Sequence, residues 1–135
     1  MGETVIHPNL FYRDAPAAME WLHNAFGFEE MLRVPDDEGL IVHAEMHLDG
    51  AIIMVSSTVG DRGFASPLDL GGQGTVHINV YVADPDAHHA RAVAAGAEIT
   101  FPLEDKEYGG RGYSCKDLEG HGWSFGSYRP EAPGA

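Results

Sequence analysis

Apolar and polar residues alternate along this 135-residue chain with two periods in a fixed succession, and the succession occurs twice. Residues 4–13 carry the β period of two: His7, Asn9 and Phe11 share one face, and Ile6, Pro8, Leu10 and Tyr12 the other. The period then becomes helical, with Met19, Leu22 and Phe26 in one line and Ala18, Trp21 and Ala25 beside them. Asp14 is placed to cap this helix, Pro16 sits in its first turn, and Gly27 ends it in the left-handed conformation. Residues 28–34 read as a second strand and 35–39 as a polar turn. In the third strand, 41–48, Val42, Ala44, Met46 and Leu48 point one way and His43, Glu45 and His47 the other. Asp49-Gly50 then predicts a two-residue type I′ hairpin turn into a fourth strand at 51–56.

The second half repeats this order. Residues 57–74, rich in Gly and Ser, read as a linker. A strand over 75–82 then sets Val76, Ile78, Val80 and Val82 on one face, and Asp84-Pro85 opens an Ala-rich helix that stops at Gly96. Strands follow at 98–103, 111–116 and 122–128. The halves match at an offset of 70: His7 with His77, Asn9 with Asn79, Asp14 with Asp84. The expected fold is therefore α+β, one domain over 1–135. It consists of two tandem β-α-β-β-β modules (4–56 and 75–128), the linker 57–74 and a tail 129–135, and its curved mixed sheet surrounds a groove.

Composition narrows the partners. The net charge of −13 works against nucleic acid and anionic membranes, and suits a solvated surface or a cationic ligand. No apolar run approaches the roughly 18 residues of a membrane span. The start of the chain has no signal-like pattern and Cys115 is the sole cysteine, so the expected location is the cytoplasm.

The helices need the apolar strand faces, which leaves His7, Asn9, His43, Glu45, His47, His77, Asn79, Tyr113 and Ser124 on the opposite side. Such residues suit a ligand cavity better than a plain solvent face. Across the Asp49-Gly50 turn, Leu48 pairs with Ala51 and Glu45 falls opposite Met54; the same count sets Cys115 opposite Ser124. His43 and His47 are candidate bases or hydrogen-bonded strand positions. His88 and His89 read as surface residues, Cys115 as a small buried one, and Trp21 and Trp123 as core. The Tyr108-Gly109-Gly110-Arg111 stretch is either a hairpin loop or an anion clamp through Arg111.

Three passages, AFGFEE (25–30), HAEM (43–46) and KDLEGHGWSF (116–125), give the chain a resemblance to the vicinal oxygen chelate superfamily. That superfamily contains glyoxalase I, extradiol dioxygenases, and fosfomycin and bleomycin resistance proteins. The closest look is to small glyoxalase-like members. In the last passage Leu118 stands where the family usually has Pro. The resemblance implies a homodimer in which a module of each chain completes a groove, with His7 and Glu45 of one copy facing His77 and Tyr113 of the other. The family's metal enzymes take one ligand from each of the first, fourth, fifth and eighth strands, commonly His, Glu, His and Glu. Here those positions hold His7, Met54, His77 and Ser124, so both carboxylates are missing. Glu45, opposite Met54, is the candidate replacement, giving a His7, His77, Glu45 set for a divalent Zn, Ni, Mn or Fe.

Two readings follow. The first is a protein of the bleomycin-resistance kind that sequesters a toxic or antibiotic small molecule in a dimer groove. Its contacts would be Asn9, His47, Met54, Asn79, Arg111, Tyr113 and Ser124. The missing carboxylates favour it. The second is a metal-dependent lyase, isomerase or dioxygenase built on His7, His77 and Glu45, or a metal-free enzyme with Glu45 or His43 as base.

Overall fold

The computed structural model describes residues 2–60 and 62–133. Asp14 caps the first helix by accepting a hydrogen bond from the Ala17 backbone N–H, and Gly27 closes it at φ 92°, as their positions predict. In chain order the elements are β1 (Asn9–Tyr12), α1 (Ala15–Phe26), β2 (Glu29–Pro35), β3 (Ile41–Leu48), β4 (Ala51–Ser57), β5 (His77–Tyr81), α2 (Pro85–Ala94), β6 (Glu98–Asp105), β7 (Arg111–Lys116) and β8 (Gly122–Gly126). They form two four-stranded sheets, ordered β1-β4-β3-β2 and β5-β8-β7-β6. β1 runs parallel to β4 and β5 parallel to β8, while the other pairs are antiparallel. This is the expected pair of β-α-β-β-β modules, with two open mixed sheets.

The Asp49-Gly50 turn sets Leu48 against Ala51 and Glu45 against Met54, as counted from the sequence. The second hairpin differs. Lys116 pairs with Gly122 around the five residues 117–121, and the odd loop slips the register by one. Ser114 therefore faces Ser124, and Cys115 faces Trp123.

Other expectations shift for local reasons. β1 begins at Asn9, because Pro8 has no N–H to extend the ladder, so His7 lies outside the strand. A register break between Val34 and Pro35 turns Ile41 into the core and leaves Val42 exposed. Val76 precedes β5 and is 70% exposed. The linker contains a 3₁₀ turn, Pro67–Leu70, held by a Ser66/Asp69 capping box.

One core serves both modules. α1 packs against α2, and Phe26 at its end meets Trp123 and Phe125 of β8 at centroid distances of 5.2 and 4.5 Å. Arg91 of α2 donates to the carbonyls of His23 and Asn24. His88 is half-buried here, not a surface residue. Its ring lies 4.0 Å from that of Phe125, the Phe26 carbonyl accepts from Nε2, and Tyr113 Oη lies 2.6 Å from Nδ1.

A buried carboxylate ties the other end. Asp117 accepts from Tyr12 Oη (2.5 Å), Trp123 Nε1 (3.0 Å) and the backbone N–H groups of Glu119, Gly120 and His121. Glu119, also buried, accepts from the Arg13 and Asp14 backbone and from Ser66 Oγ. With the helix-side faces sharing a core, each sheet's opposite face is left open. Those two faces carry the chemistry.

Candidate functional site

The open face of the second sheet is built on small residues. Gly112 pairs with Gly126 and Ser114 with Ser124, so the middle of β7 and β8 presents little more than backbone and hydroxyls. The strands approach so closely that a Cβ on Gly112 would lie 2.7 Å from the Phe125 carbonyl oxygen. The same period that sets Ser124 on this face sets its β5 partner Asn79 there, flanked by His77 and Tyr81. Tyr108, from the loop after β6, and Tyr128, after β8, meet edge to face at 5.0 Å. Asn79, Tyr81, Tyr108, Tyr128 and the Gly/Ser floor line an open cavity of about 440 Å³, bordered also by Lys106 and Arg111, and His77 reaches it through its bond to Ser124.

A chain of hydrogen bonds crosses the floor. His77 Nε2 lies 2.7 Å from Ser124 Oγ, which lies 2.5 Å from Ser114 Oγ. Cys115 and Tyr113 face the other way. Burial pushes the Cys115 thiol up to about 12, with help from the nearby Asp117 charge, so it stays protonated and inert. Tyr113 is 1% exposed and bonded to His88; burial raises its hydroxyl too. Its side chain packs into the core, although Tyr113 also borders the cavity from below. The odd-length hairpin loop turns it inward, opposite Phe125. Arg111 borders the cavity, but its guanidinium bonds Asp86 at 2.8 Å and reaches Asp105, and the Asp86 bond raises its pKa.

The open face of the first sheet holds a different set. His43 Nε2 donates to the Glu45 carboxylate at 2.9 Å. Glu45 and Asn9 lie on either side of Met54, which puts a thioether where the second sheet has a hydroxyl. Ser56 Oγ donates to Asn9 Oδ1, and His47 donates to the Asp49 carbonyl. Phe64 of the linker stacks on Phe11 at 4.1 Å. His7 lies elsewhere, in a cleft of about 540 Å³ between the modules, with Phe28, Ile78 and Asn79.

The donors do not fit a metal. Among the described residues no three His, Cys, Asp or Glu side chains are grouped as a metal ion requires. Each expected ligand also has another partner: His77 has Ser124, Glu45 has His43, and His7 has the Ile52 carbonyl at 3.4 Å. With Met54 and Ser124 at the usual carboxylate positions, two neutral imidazoles would face a divalent charge with no anion between them.

Sequence reasoning did not place Ser114, Tyr81 or Tyr128 in the site, and took up Tyr108 only within the 108–111 stretch. Ser114 was hidden by the slipped register. Tyr81 shares the β5 period with His77 and Asn79 and was there to be found. Tyr108 comes from a loop, which carries no period, whereas Tyr128 ends the expected strand 122–128 on the same face as Ser124 and was also there to be found.

Known proteins bear on this geometry. Residues 4–125 match the family described as Glyoxalase/Bleomycin resistance protein/Dioxygenase superfamily. An uncharacterised protein of Mycobacterium bovis, Mb0911c, is 35% identical over 128 residues, covering 92% of this chain and 83% of its own length. The crystal structure of TioX from Micromonospora sp. ML1 superposes with a TM-score of 0.72 at 40% identity, over 93% of this chain and 100% of that one. A mutant of the fosfomycin resistance protein FosX of Listeria monocytogenes, complexed with Mn(II) and 1S,2S-dihydroxypropylphosphonic acid, has a TM-score of 0.68 at 18% identity. It covers 96% of this chain and 93% of its own, and at that identity it shows the fold alone.

Proposed function

This chain belongs to the Glyoxalase/Bleomycin resistance protein/Dioxygenase superfamily, and we propose that it binds a small molecule in the cavity over its second sheet. The observation that carries the reading is that cavity: about 440 Å³, with a Gly/Ser floor and Tyr81, Tyr108 and Tyr128 around it. A floor without bulky side chains lets a flat group lie close to the sheet, and tyrosine rings offer faces to stack on and hydroxyls to bond. The net charge of −13 favours a cationic ligand. Sequestration of a toxic or antibiotic compound is the biological form this reading takes. No metal step enters it, because the donor set does not fit one.

Two copies would complete the groove. The open face of the first sheet in one copy, with Asn9, His47 and Met54, would cover the open face of the second sheet in the other. Exposed apolar residues support such pairing: Met31, Leu32 and Val34 on β2 and Phe101 on β6 are all more than 40% exposed. Fluorescence titration with proflavine, a planar aromatic cation, and with bleomycin tests the binding reading. Saturable binding to wild type, weakened about tenfold or more in Tyr108→Ala and Tyr81→Ala, is expected. Equal binding by wild type and both variants would place the ligand elsewhere and defeat the reading.

A further inference from the structure

We propose that Ser124 is a nucleophile, activated by His77, which takes the acyl group of a small aromatic ester bound in the cavity. This goes beyond ligand binding, though it uses the same cavity. A serine hydroxyl becomes nucleophilic when a base within hydrogen-bond reach accepts its proton. His77 Nε2 is 2.7 Å from Ser124 Oγ, within that reach.

Counting protons allows the chain two directions, and the nucleophile uses the one in which Nε2 is the acceptor. Ser124 has one hydroxyl proton and two neighbours. With the imidazole proton on Nδ1, Nε2 accepts from Ser124, and Ser124 Oγ accepts in turn from Ser114, 2.5 Å away. That second bond stabilises negative charge as it builds on Ser124 Oγ. The imidazole itself is hemmed by the strand beside it, since a Cβ on Gly122 would stand 2.7 Å from Nδ1.

Acyl transfer also needs a donor for the developing oxyanion. Asn79 is the Cα partner of Ser124 and borders the same cavity. A side-chain amide in such a position is a recognised oxyanion donor. Two β5 residues therefore take complementary roles toward Ser124, His77 as base and Asn79 as electrophilic support. The first sheet has no counterpart, because Met54 brings no hydroxyl to the equivalent place. The tyrosines at the cavity rim suit an aromatic leaving group or acyl chain.

The step balances without a co-reactant. Ser124 Oγ bonds to the ester carbonyl carbon as its proton passes to His77 Nε2. The bond from that carbon to the leaving oxygen breaks, and the leaving oxygen takes the proton from His77. The acyl group stays on Ser124 until water, deprotonated by His77, adds to its carbonyl carbon; the bond from that carbon to Ser124 Oγ then breaks, Oγ takes the proton back from His77, and a carboxylic acid leaves.

Wild-type protein treated with p-nitrophenyl acetate provides the test, with nitrophenolate release followed by absorbance and the modified peptide found by mass spectrometry. One acetyl group on Ser124 is expected. His77→Ala and Asn79→Ala should each slow its formation about 100-fold, and Ser124→Ala should remove it. Near-ultraviolet circular dichroism confirms that each variant is folded. Ser124 left unmodified while lysines are acetylated, or acetylated equally fast in His77→Ala, would overturn the proposal. Wild type that binds proflavine yet leaves Ser124 free overturns the nucleophile alone, and the binding reading stands.

Discussion

Asn79 and Ser124 are Cα partners across the parallel pair β5–β8, in the same register that sets Asn9 against Met54 in the first module. The repeat thus builds one frame twice and furnishes it differently. A hydroxyl bonded to an imidazole occupies one copy, and a thioether the other. Any function of the polar faces is therefore unequal between modules.

The imidazole's position can be moved without touching it. Gly122→Ala places a methyl 2.7 Å from His77 Nδ1, closer than the two atoms can approach. Because His77 is exposed, its ring can swing away and the fold should survive, with a stability loss under about 1 kcal/mol. Acetylation of Ser124 should nevertheless fall toward the His77→Ala level. Denaturant melts paired with the acetylation rate check both halves.

Asp117→Asn should destabilise by about 2–3 kcal/mol. Burial pushes the Asp117 carboxyl up, but Tyr12, Trp123 and three backbone N–H groups all donate to it. Five donors call for an acceptor on both oxygens. An amide would turn its own N–H groups against two or three of them. Urea unfolding at neutral pH measures the loss.

His88 should make stability fall in mild acid. Its pKa is lowered, first by burial and also by the charge of Arg91, against the raising effect of the Phe26 carbonyl. The unfolded chain thus binds this proton more readily than the folded one. The stability from the neutral ring is fully present above the ordinary imidazole value near 6.5 and is lost as pH falls through the lower folded value. Tyr113, whose hydroxyl faces Nδ1, stays protonated throughout. His88→Gln should flatten the difference in stability between pH 7 and pH 5, as read from urea midpoints.

Phe26→Ala should cost about 3–5 kcal/mol, because this ring fills the contact between modules against Trp123 and Phe125. A single cooperative transition at lower denaturant is expected for a shared core. Two separated transitions would mean that the modules unfold independently.

The sequence carried the frame more fully than the furniture. Caps at Asp14 and Gly27 and the Asp49-Gly50 turn are local chemistry, so the helix ends and the Glu45–Met54 pairing were legible. The second hairpin was not, because its loop length depends on the Asp117 carboxylate collecting three backbone N–H groups. A one-residue slip there carried Tyr113 into the core and brought Ser114 out. The metal set could be written from the family pattern, but whether its members find other partners is a tertiary fact. His77, Glu45 and His7 each do.

Dimer pairing has its own check: light scattering at micromolar concentration should report twice the chain mass of 14.6 kDa. A monomer would remove the shared groove and leave the second-sheet cavity to act alone.

The most direct measurement is a crystallographic soak of wild-type protein with planar aromatic fragments. Density is predicted over Ser124, within reach of Asn79 and the rings of Tyr81 and Tyr108. Fragments found solely in the cleft beside His7, Phe28 and Ile78, with the second-sheet cavity empty, would contradict the account.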